Sequence, residues 1–171
     1  MYYQIRKDRW IITVLKNLLY RMFKRLVGVC FNILNLLLAG NLPPLGSVCV
    51  IVEDQDRYLV VERAEGSFVF PGGFMRWREN PLQTALRECE EETGLRLKVN
   101  GLIGCSSNSS ENFTRMSSLT VIYQAEVIGG ELKRSIEGQP RWIDESELRM
   151  RVYKKQRGIL DHFIRYRERP E

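Results

Sequence analysis

The chain has 171 residues, of which 44% are hydrophobic and 27% are charged, a composition that suits one packed domain and excludes wholesale disorder. Its formal net charge of +5 is concentrated in residues 1–42, where seven basic side chains and one acidic side chain give +6 and leave −1 for the rest. The main part of the chain therefore lacks the basic footprint of a nucleic-acid-binding protein. Four cysteines without a C-x-x-C pair and a single histidine exclude a zinc site of the usual kind, and we expect a protein of the reducing cytoplasm.

The first predicted element is a basic amphipathic helical segment over residues 1–42. Apolar residues recur every three to four positions from Ile11 to Leu37, opposite a polar stripe that includes Gly28, Asn32 and Asn35, which is the pattern of an amphipathic helix. The most apolar stretch, residues 26–39, has 14 residues, fewer than the ~20 needed to cross a bilayer. We expect the segment either to lie on an anionic membrane surface or to pack on the main domain or a second copy of the chain.

The packed domain is predicted over residues 46–167, after a stop at Pro43-Pro44. Its predicted elements are strands at Gly46–Glu53 and Arg57–Arg63, a helix at about Pro81–Thr93, strands at Leu97–Ser106, Ser118–Ile128 and Pro140–Ile143, and a last helix at about Arg151–Arg167. The first two strands flank a hairpin signal at residues 54–56, and Gly129-Gly130 predicts a turn. Asn80 as N-cap, Gln83 as capping-box partner and Gly94 as C-cap delimit the first helix. Strands and helices in one domain indicate the α/β class.

Three glutamates in that helix are the first sign of chemistry. Glu88, Glu91 and Glu92 are spaced i, i+3 and i+4, which places their carboxylates on one helix face within a single turn. Such a cluster alone is typical of a solvated surface helix. Here Gly72 and Gly73 precede the helix, and glycine allows the backbone to approach a ligand closely. Hard oxygen ligands without histidine or cysteine indicate Mg²⁺ or Mn²⁺.

The same segment carries a family resemblance. The fixed positions of the Nudix box, G-x5-E-x7-R-E-U-x-E-E-x-G-U with U aliphatic, are filled by Gly73, Glu79, Arg87, Glu88, Cys89, Glu91, Glu92, Gly94 and Leu95. The chain thus resembles the Nudix hydrolases, which implies an α/β/α sandwich with a mixed sheet. By that resemblance the metal ligands are Glu88, Glu91, Glu92 and the Gly72 carbonyl, and the three glutamates are the catalytic candidates, with Glu88 as general base or ligand. Glu79 and Arg87 are expected to form a structural ion pair, and Cys89 to pack as a small hydrophobe.

A second resemblance lies downstream, at Glu137-Gly138-Gln139-Pro140 followed by Trp142. It is similar to the segment of mutator-type oxidised-guanine nucleotide pyrophosphatases that supplies a further metal-binding glutamate. Glu137 is therefore a candidate ligand, and a polar turn before a strand is the alternative. Arg63 resembles a substrate-contacting arginine of those enzymes, with a strand-end arginine as the alternative. Arg76 is a candidate contact for substrate phosphate or base, with a solvated loop as the alternative.

The resemblance to the Nudix hydrolases implies Mg²⁺- or Mn²⁺-dependent hydrolysis of a phosphoanhydride bond in a nucleoside diphosphate linked to another moiety. The Glu137 segment favours nucleoside triphosphates, and ADP-ribose or sugar nucleotides are the alternative substrates. A non-catalytic Nudix module that senses a nucleotide is a further alternative, which the intact set of glutamates disfavours. We expect a cytoplasmic protein, peripheral to the membrane if its N-terminal segment binds lipid.

Overall fold

The structure is a computed structural model that describes residues 19, 22, 23 and 25–168. The chain separates into two compact units, Met1–Pro44 with Ser109–Ser117 and Leu45–Asn108 with Ser118–Glu171. The part of the N-terminal helix expected before residue 19, with Ile11, lies outside the described residues. In the described part of the chain, no helix is both long enough and apolar enough to cross a membrane.

The larger unit is built on one mixed sheet. Its strands are β1 (Leu45–Asp54), β2 (Arg57–Glu62), β3 (Phe68–Val69), β4 (Leu95–Asn108), β5 (Ser118–Gly130) and β6 (Gln139–Asp144). In the smaller unit, α1 comprises the described helical residues 19, 22, 23 and 25–37. The larger unit has the helices α2 (Pro81–Thr93), α3 (Glu145–Arg151) and α4 (Arg157–Arg167), with a 3-10 turn at Lys154–Gln156. β1 pairs in parallel with β5, β5 pairs antiparallel with β4, and β2 pairs antiparallel with β1, β3 and β6.

Two hydrophobic cores lie on opposite faces of β1, because successive side chains of a strand point to opposite faces. Ile51 belongs to a core that contains side chains of α3 and α4, among them Phe163. Val50 belongs to a second core with Ala85 and Cys89 of α2. Helices therefore cover both faces of the sheet, which confirms the predicted sandwich. Cys89 is fully buried, as expected of a small hydrophobe.

Helix α2 has the limits that its sequence predicts. Asn80 Oδ1 accepts a hydrogen bond from Gln83 N at 2.8 Å, and Gln83 Oε1 accepts one from Asn80 N at 3.0 Å, which completes the capping box. Gly94 ends the helix with a φ of 79°, a left-handed conformation that glycine adopts without strain. These caps set the limits of the helix, and its 3.6-residue period then places Glu88, Glu91 and Glu92 on one face.

The predicted helix over Arg151–Arg167 is confirmed from Arg157 to Arg167, where α4 lies, but its predicted start is wrong. α3 is a separate helix that begins after Asp144, whose side chain accepts a hydrogen bond from Glu147 N at 2.8 Å. The chain leaves the helical conformation at Val152, which has a ψ of 134°. This break lets Val152 form a bridge with Phe68 and enter the first core.

The ends of β4 and β5 also differ from the predicted strands. Gly129 and Gly130 continue β5 and pair with Arg96 and Leu95, so the turn expected at these glycines is wrong. β4 extends to Asn108, and the loop between β4 and β5 is therefore confined to residues 109–117. Antiparallel pairing with a neighbouring strand outweighs the turn preference of the two glycines.

Candidate active site

The segment Phe70–Gly73 runs beside β1 and presents its backbone to helix α2. Val48 N donates to Gly73 O and Val50 N donates to Pro71 O, both at 2.9 Å. Gly72 has a φ of 150°, and a Cβ atom at this position would collide with the carbonyl oxygen of Val48. Only glycine therefore allows this close approach of the segment to β1.

Two of the predicted glutamates meet this glycine pair. Gly72 N donates a hydrogen bond to Glu92 Oε2 at 3.1 Å. A Cβ atom built on Gly73 would lie 2.6 Å from the carboxyl carbon of Glu88, so the absence of a side chain at Gly73 makes room for that carboxylate. Residues 72 and 73 and helix α2 thus enclose Glu88 and Glu92 from two sides.

Arg87 connects the box glutamates to one another. Its Nε donates to Glu79 Oε1 at 2.6 Å and its Nη2 donates to Glu79 Oε2 at 2.7 Å, a bidentate ion pair. Its Nη1 also donates to Glu88 Oε1 at 2.7 Å and to Glu91 Oε2 at 3.3 Å. The hydrogen bonds from Arg87 are the main cause that lowers the pKa of Glu79 to about 2, because they favour the ionised carboxylate. The pairing of Glu79 with Arg87 is as the sequence predicts.

Glu92 has the most perturbed carboxylate of the site. Its partial burial raises its pKa to about 8, against the opposing effect of the hydrogen bond from Gly72. The negative charges of Glu137 and Glu88 raise it further, whereas the positive charge of Arg63 lowers it. A group of carboxylates that disfavour one another's charge is the electrostatic setting of a cation site or of an acid–base group.

Glu137 sits in a short turn before β6. Glu137 N donates to Ser135 Oγ at 3.3 Å, and Ser135 N donates to Gly138 O at 3.1 Å. The turn expected as an alternative is therefore present, and the charge of Glu137 still acts on Glu92. The two interpretations of this residue are compatible.

The two predicted substrate-binding arginines have different surroundings. Arg76 is exposed, and its Nη2 donates to both carboxylate oxygens of Glu91 at 3.0 Å. Arg63 is partly buried, and its guanidinium carbon lies 5.4 Å from the ring centroid of Tyr153. The Nε of Arg63 is buried and has no hydrogen-bond partner among the described residues. The positive charge of Arg63 nevertheless acts on Glu92.

The predicted site residues do not all converge. Gly72, Gly73, Glu88 and Glu92 lie together, whereas Gly94 ends α2 two residues after Glu92 and approaches the carbonyl oxygen of Glu131. Glu91 is half exposed and paired with arginines. Within the part of the chain that the structure describes, no three acidic, cysteine or histidine side chains already have the spacing of a metal site.

Thr84 and Gln156, which were not among the predicted site residues, hold Glu79 and the backbone of Phe70. Thr84 Oγ1 donates to Glu79 Oε2 at 2.9 Å, and Gln156 Oε1 accepts a hydrogen bond from Phe70 N at 2.8 Å. Thr84 follows Glu79 by five residues, close enough for its hydroxyl to reach back to the residue before the N-cap. Nothing in the sequence near Gln156 indicates its contact, because Phe70 lies 86 residues away along the chain.

Comparison with known proteins agrees with this arrangement. The NUDIX domain family matches residues 43–163 of the chain. The chain therefore belongs to the Nudix hydrolase family, whose members generally use divalent metals such as Mg²⁺.

Individual relatives cover most of the larger unit. An ADP-ribose pyrophosphatase of Methanocaldococcus jannaschii is 31% identical over 126 residues, which cover 71% of this chain and 74% of that protein. A MutT-like protein of Streptomyces ambofaciens is 30% identical over 115 residues, which cover 64% of this chain and 71% of the relative. The crystal structure of a NUDIX hydrolase from Nitrosomonas europaea superimposes with a TM-score of 0.60 at 26% identity, over 74% of this chain and 72% of that one.

Proposed function

We propose that this protein hydrolyses a phosphoanhydride bond in a nucleoside diphosphate derivative with the help of Mg²⁺ or Mn²⁺. The observation that carries the proposal is the enclosure of Glu88 and Glu92 between helix α2 and the glycine pair, with the charge of Glu137 acting on Glu92. A solvated acidic helix surface has no need of a backbone segment packed so closely against its carboxylates. The small nucleotides of the cytoplasm are the substrates that such a site serves.

The residues present fit a divalent cation. Their donors are oxygen atoms, and the raised pKa of Glu92 reflects burial and repulsion that a bound cation relieves. We assign Glu88, Glu91, Glu92, Glu137 and the Gly72 carbonyl as its ligands. When bound there, the cation supplies the positive charge that neutralises phosphate oxygens and polarises the attacking water.

The side chains of the protein perform the remaining tasks. Glu88 is held by Arg87 and serves either as general base toward the attacking water or as a ligand. Arg87 and Glu79 act as positioning residues, because their bidentate pair orients the first half of α2. We assign the binding of substrate phosphate or base to Arg63, whose charge acts on Glu92, and to Arg76, since guanidinium groups suit phosphate oxygens.

The substrate class has two candidates. The likeness of the Glu137 segment to oxidised-guanine nucleotide pyrophosphatases favours a nucleoside triphosphate. The relative from Methanocaldococcus jannaschii, named as an ADP-ribose pyrophosphatase, favours ADP-ribose. Both substrates contain the phosphoanhydride bond that the carboxylate site would cleave.

A substrate panel tests the proposal. The full chain is incubated with Mg²⁺ or Mn²⁺ and with nucleoside triphosphates, oxidised ones included, ADP-ribose, sugar nucleotides and dinucleoside polyphosphates, and the products are identified. We expect metal-dependent cleavage of at least one of these compounds. Nucleotide binding without turnover on the whole panel would instead support the nucleotide-sensing alternative and would contradict the proposal.

A further inference from the structure

In the smaller unit, the polar side of helix α1 contacts the loop of residues 109–117. Asn32 Nδ2 donates to Gly28 O at 2.9 Å, to Phe113 O at 3.0 Å and to Arg115 O at 2.7 Å. Gly28 is buried, and a Cβ atom at that position would collide with the carbonyl oxygen of Thr114. The loop of residues 109–117 therefore packs directly on the polar stripe of α1.

A residue of the same polar stripe, Asn35, also accepts hydrogen bonds from the residues that follow the helix. Asn35 Oδ1 accepts a hydrogen bond from Leu42 N at 3.1 Å, and Asn35 O accepts one from Gly40 N at 2.8 Å. Gly28, Asn32 and Asn35 lie on one side of a helix with 3.6 residues per turn. The polar groups that a surface helix ordinarily turns to water are here satisfied within the unit.

The opposite side of the helix is apolar and exposed. We call it the outer face, and it consists of Leu19, Met22, Phe23, Leu26, Ile33 and Leu37. Their exposed fractions run from 47% for Ile33 to 77% for Leu37. A contiguous apolar surface of this kind marks an interaction site.

The charge of the segment selects the partner. Residues 1–42 carry a formal net charge of +6, and Arg21, Lys24 and Arg25 have the helical spacing of the polar stripe, opposite the outer face. Arg25 and Arg115 also line an open pocket together with Asn112 and Thr114, and guanidinium and hydroxyl groups suit phosphate oxygens. A helix with one apolar face and basic residues on the other is complementary to a lipid surface with anionic headgroups.

We propose that the outer face of α1 binds this protein to anionic lipid bilayers, with the helix lying in the plane of the interface. The leucines and Phe23 enter the acyl boundary, and the basic side chains contact the headgroup phosphates. The protein is thus a peripheral membrane protein through its smaller unit.

Co-sedimentation of the full chain with vesicles tests this proposal. The vesicles contain phosphatidylcholine alone or phosphatidylcholine with phosphatidylglycerol, each at low and high salt. We expect the chain to pellet with the anionic vesicles at low salt and to bind less at high salt, because salt screens the attraction between charges. Retention of the intact chain in the supernatant with anionic vesicles at low salt overturns the proposal, and so does equal binding to neutral vesicles that salt does not alter.

Variants locate the binding surface. A Leu26→Glu and Leu37→Glu double variant should partition to the vesicles at least about tenfold more weakly, because two leucines no longer enter the apolar phase. An Arg21→Gln, Lys24→Gln and Arg25→Gln triple variant should lose roughly 100-fold on anionic vesicles at low salt and nothing on neutral ones. Met150→Glu is the matched control, since Met150 is an equally exposed apolar residue of α3, at 72%.

Two further results would contradict the proposal, and one of them would assign the outer face to another partner. Unchanged vesicle binding by the leucine variant overturns the proposal directly. Loss of a dimer by that variant in analytical ultracentrifugation, without vesicle binding by the parent, assigns the face to a second copy. Because all positions changed are outside the carboxylate site, thermal unfolding and substrate turnover of the variants report separately on folding and on the proposed function.

Discussion

The Cα atom of Gly73 lies against the carboxylate of Glu88, so closely that a methyl group on Gly73 would stand 2.6 Å from the carboxyl carbon. Real Cβ atoms essentially never approach other heavy atoms to this distance. The first residue of the Nudix box thus leaves room for the carboxylate of a catalytic candidate. The glycine is required here for space rather than for its backbone flexibility.

Gly73→Ala should therefore displace Glu88 while leaving the fold intact. We expect kcat/KM to fall by about 10- to 100-fold, because a misplacement near 1 Å at a catalytic group has an effect of this size. Steady-state kinetics and thermal unfolding of the variant measure the two effects separately. Gly158→Ala is the control, since Gly158 lies in α4 with no heavy atom within 4 Å of its added Cβ, and it should keep parental turnover.

The Glu79–Arg87 ion pair should make stability depend on pH in acid. The pKa of Glu79 is lowered from its ordinary value of 4.5 to about 2 in the folded protein, with the hydrogen bonds from Arg87 as the main cause. A carboxylate with a lowered pKa contributes stability above the unfolded value, and this contribution is lost as pH falls through the folded value. Glu79→Gln should thus be less stable than the parent at pH 6, by a margin that shrinks as the pH falls below about 4.5.

Urea unfolding at several pH values measures that margin. The buffers extend from pH 6 to the lowest pH at which both proteins still fold. A gap in unfolding free energy that stays constant between pH 6 and pH 3 would show that the carboxylate charge of Glu79 does not stabilise the fold.

Glu137→Gln tests the ligand role of a residue outside the box. Because its charge acts on Glu92, we expect the metal concentration for half-maximal turnover to rise by about tenfold and kcat to fall. Thermal stability should change little, since the backbone of the turn at Ser135 and Gly138 makes its own hydrogen bonds. Glu131→Gln is the control at an exposed glutamate nearby, and a metal titration that is the same for both variants would return Glu137 to a purely structural turn.

Local signals in the sequence predicted helix α2 and its site most accurately. Asn80 and Gln83 mark the start of the helix, and Gly94 marks its end. The box glutamates lie between these limits, so their helical spacing could be predicted. The pairing of Arg87 with Glu91 could also have been predicted, because it is an i, i+4 pair. The contact of Gln156 with Phe70 could not, since it depends on the packing of distant elements.

The sequence did not predict the short helix α3, nor which face of helix α1 packs within its unit and which face is exposed. α3 has seven residues, too few for a periodic pattern of apolar residues to be recognised in the sequence. Asp144 followed three residues later by Glu147 does resemble an N-terminal capping signal. For α1 the sequence separates a polar stripe from an apolar face. It does not indicate that Asn32 would use its amide within the unit and leave Leu37 exposed.

The most direct test of the central claim is the metal-dependent turnover of Glu91→Gln and Glu92→Gln beside Glu90→Gln, on the best substrate of the panel. Glu90 belongs to the same acidic run but is exposed and outside the fixed positions of the box, so its variant controls for the loss of one negative charge. We predict that Glu91→Gln and Glu92→Gln each lower kcat/KM by at least about 100-fold, as expected when a metal site loses a carboxylate, while Glu90→Gln keeps parental turnover with Mg²⁺. Near-parental turnover in both box variants would contradict the assignment of these glutamates to a catalytic metal site.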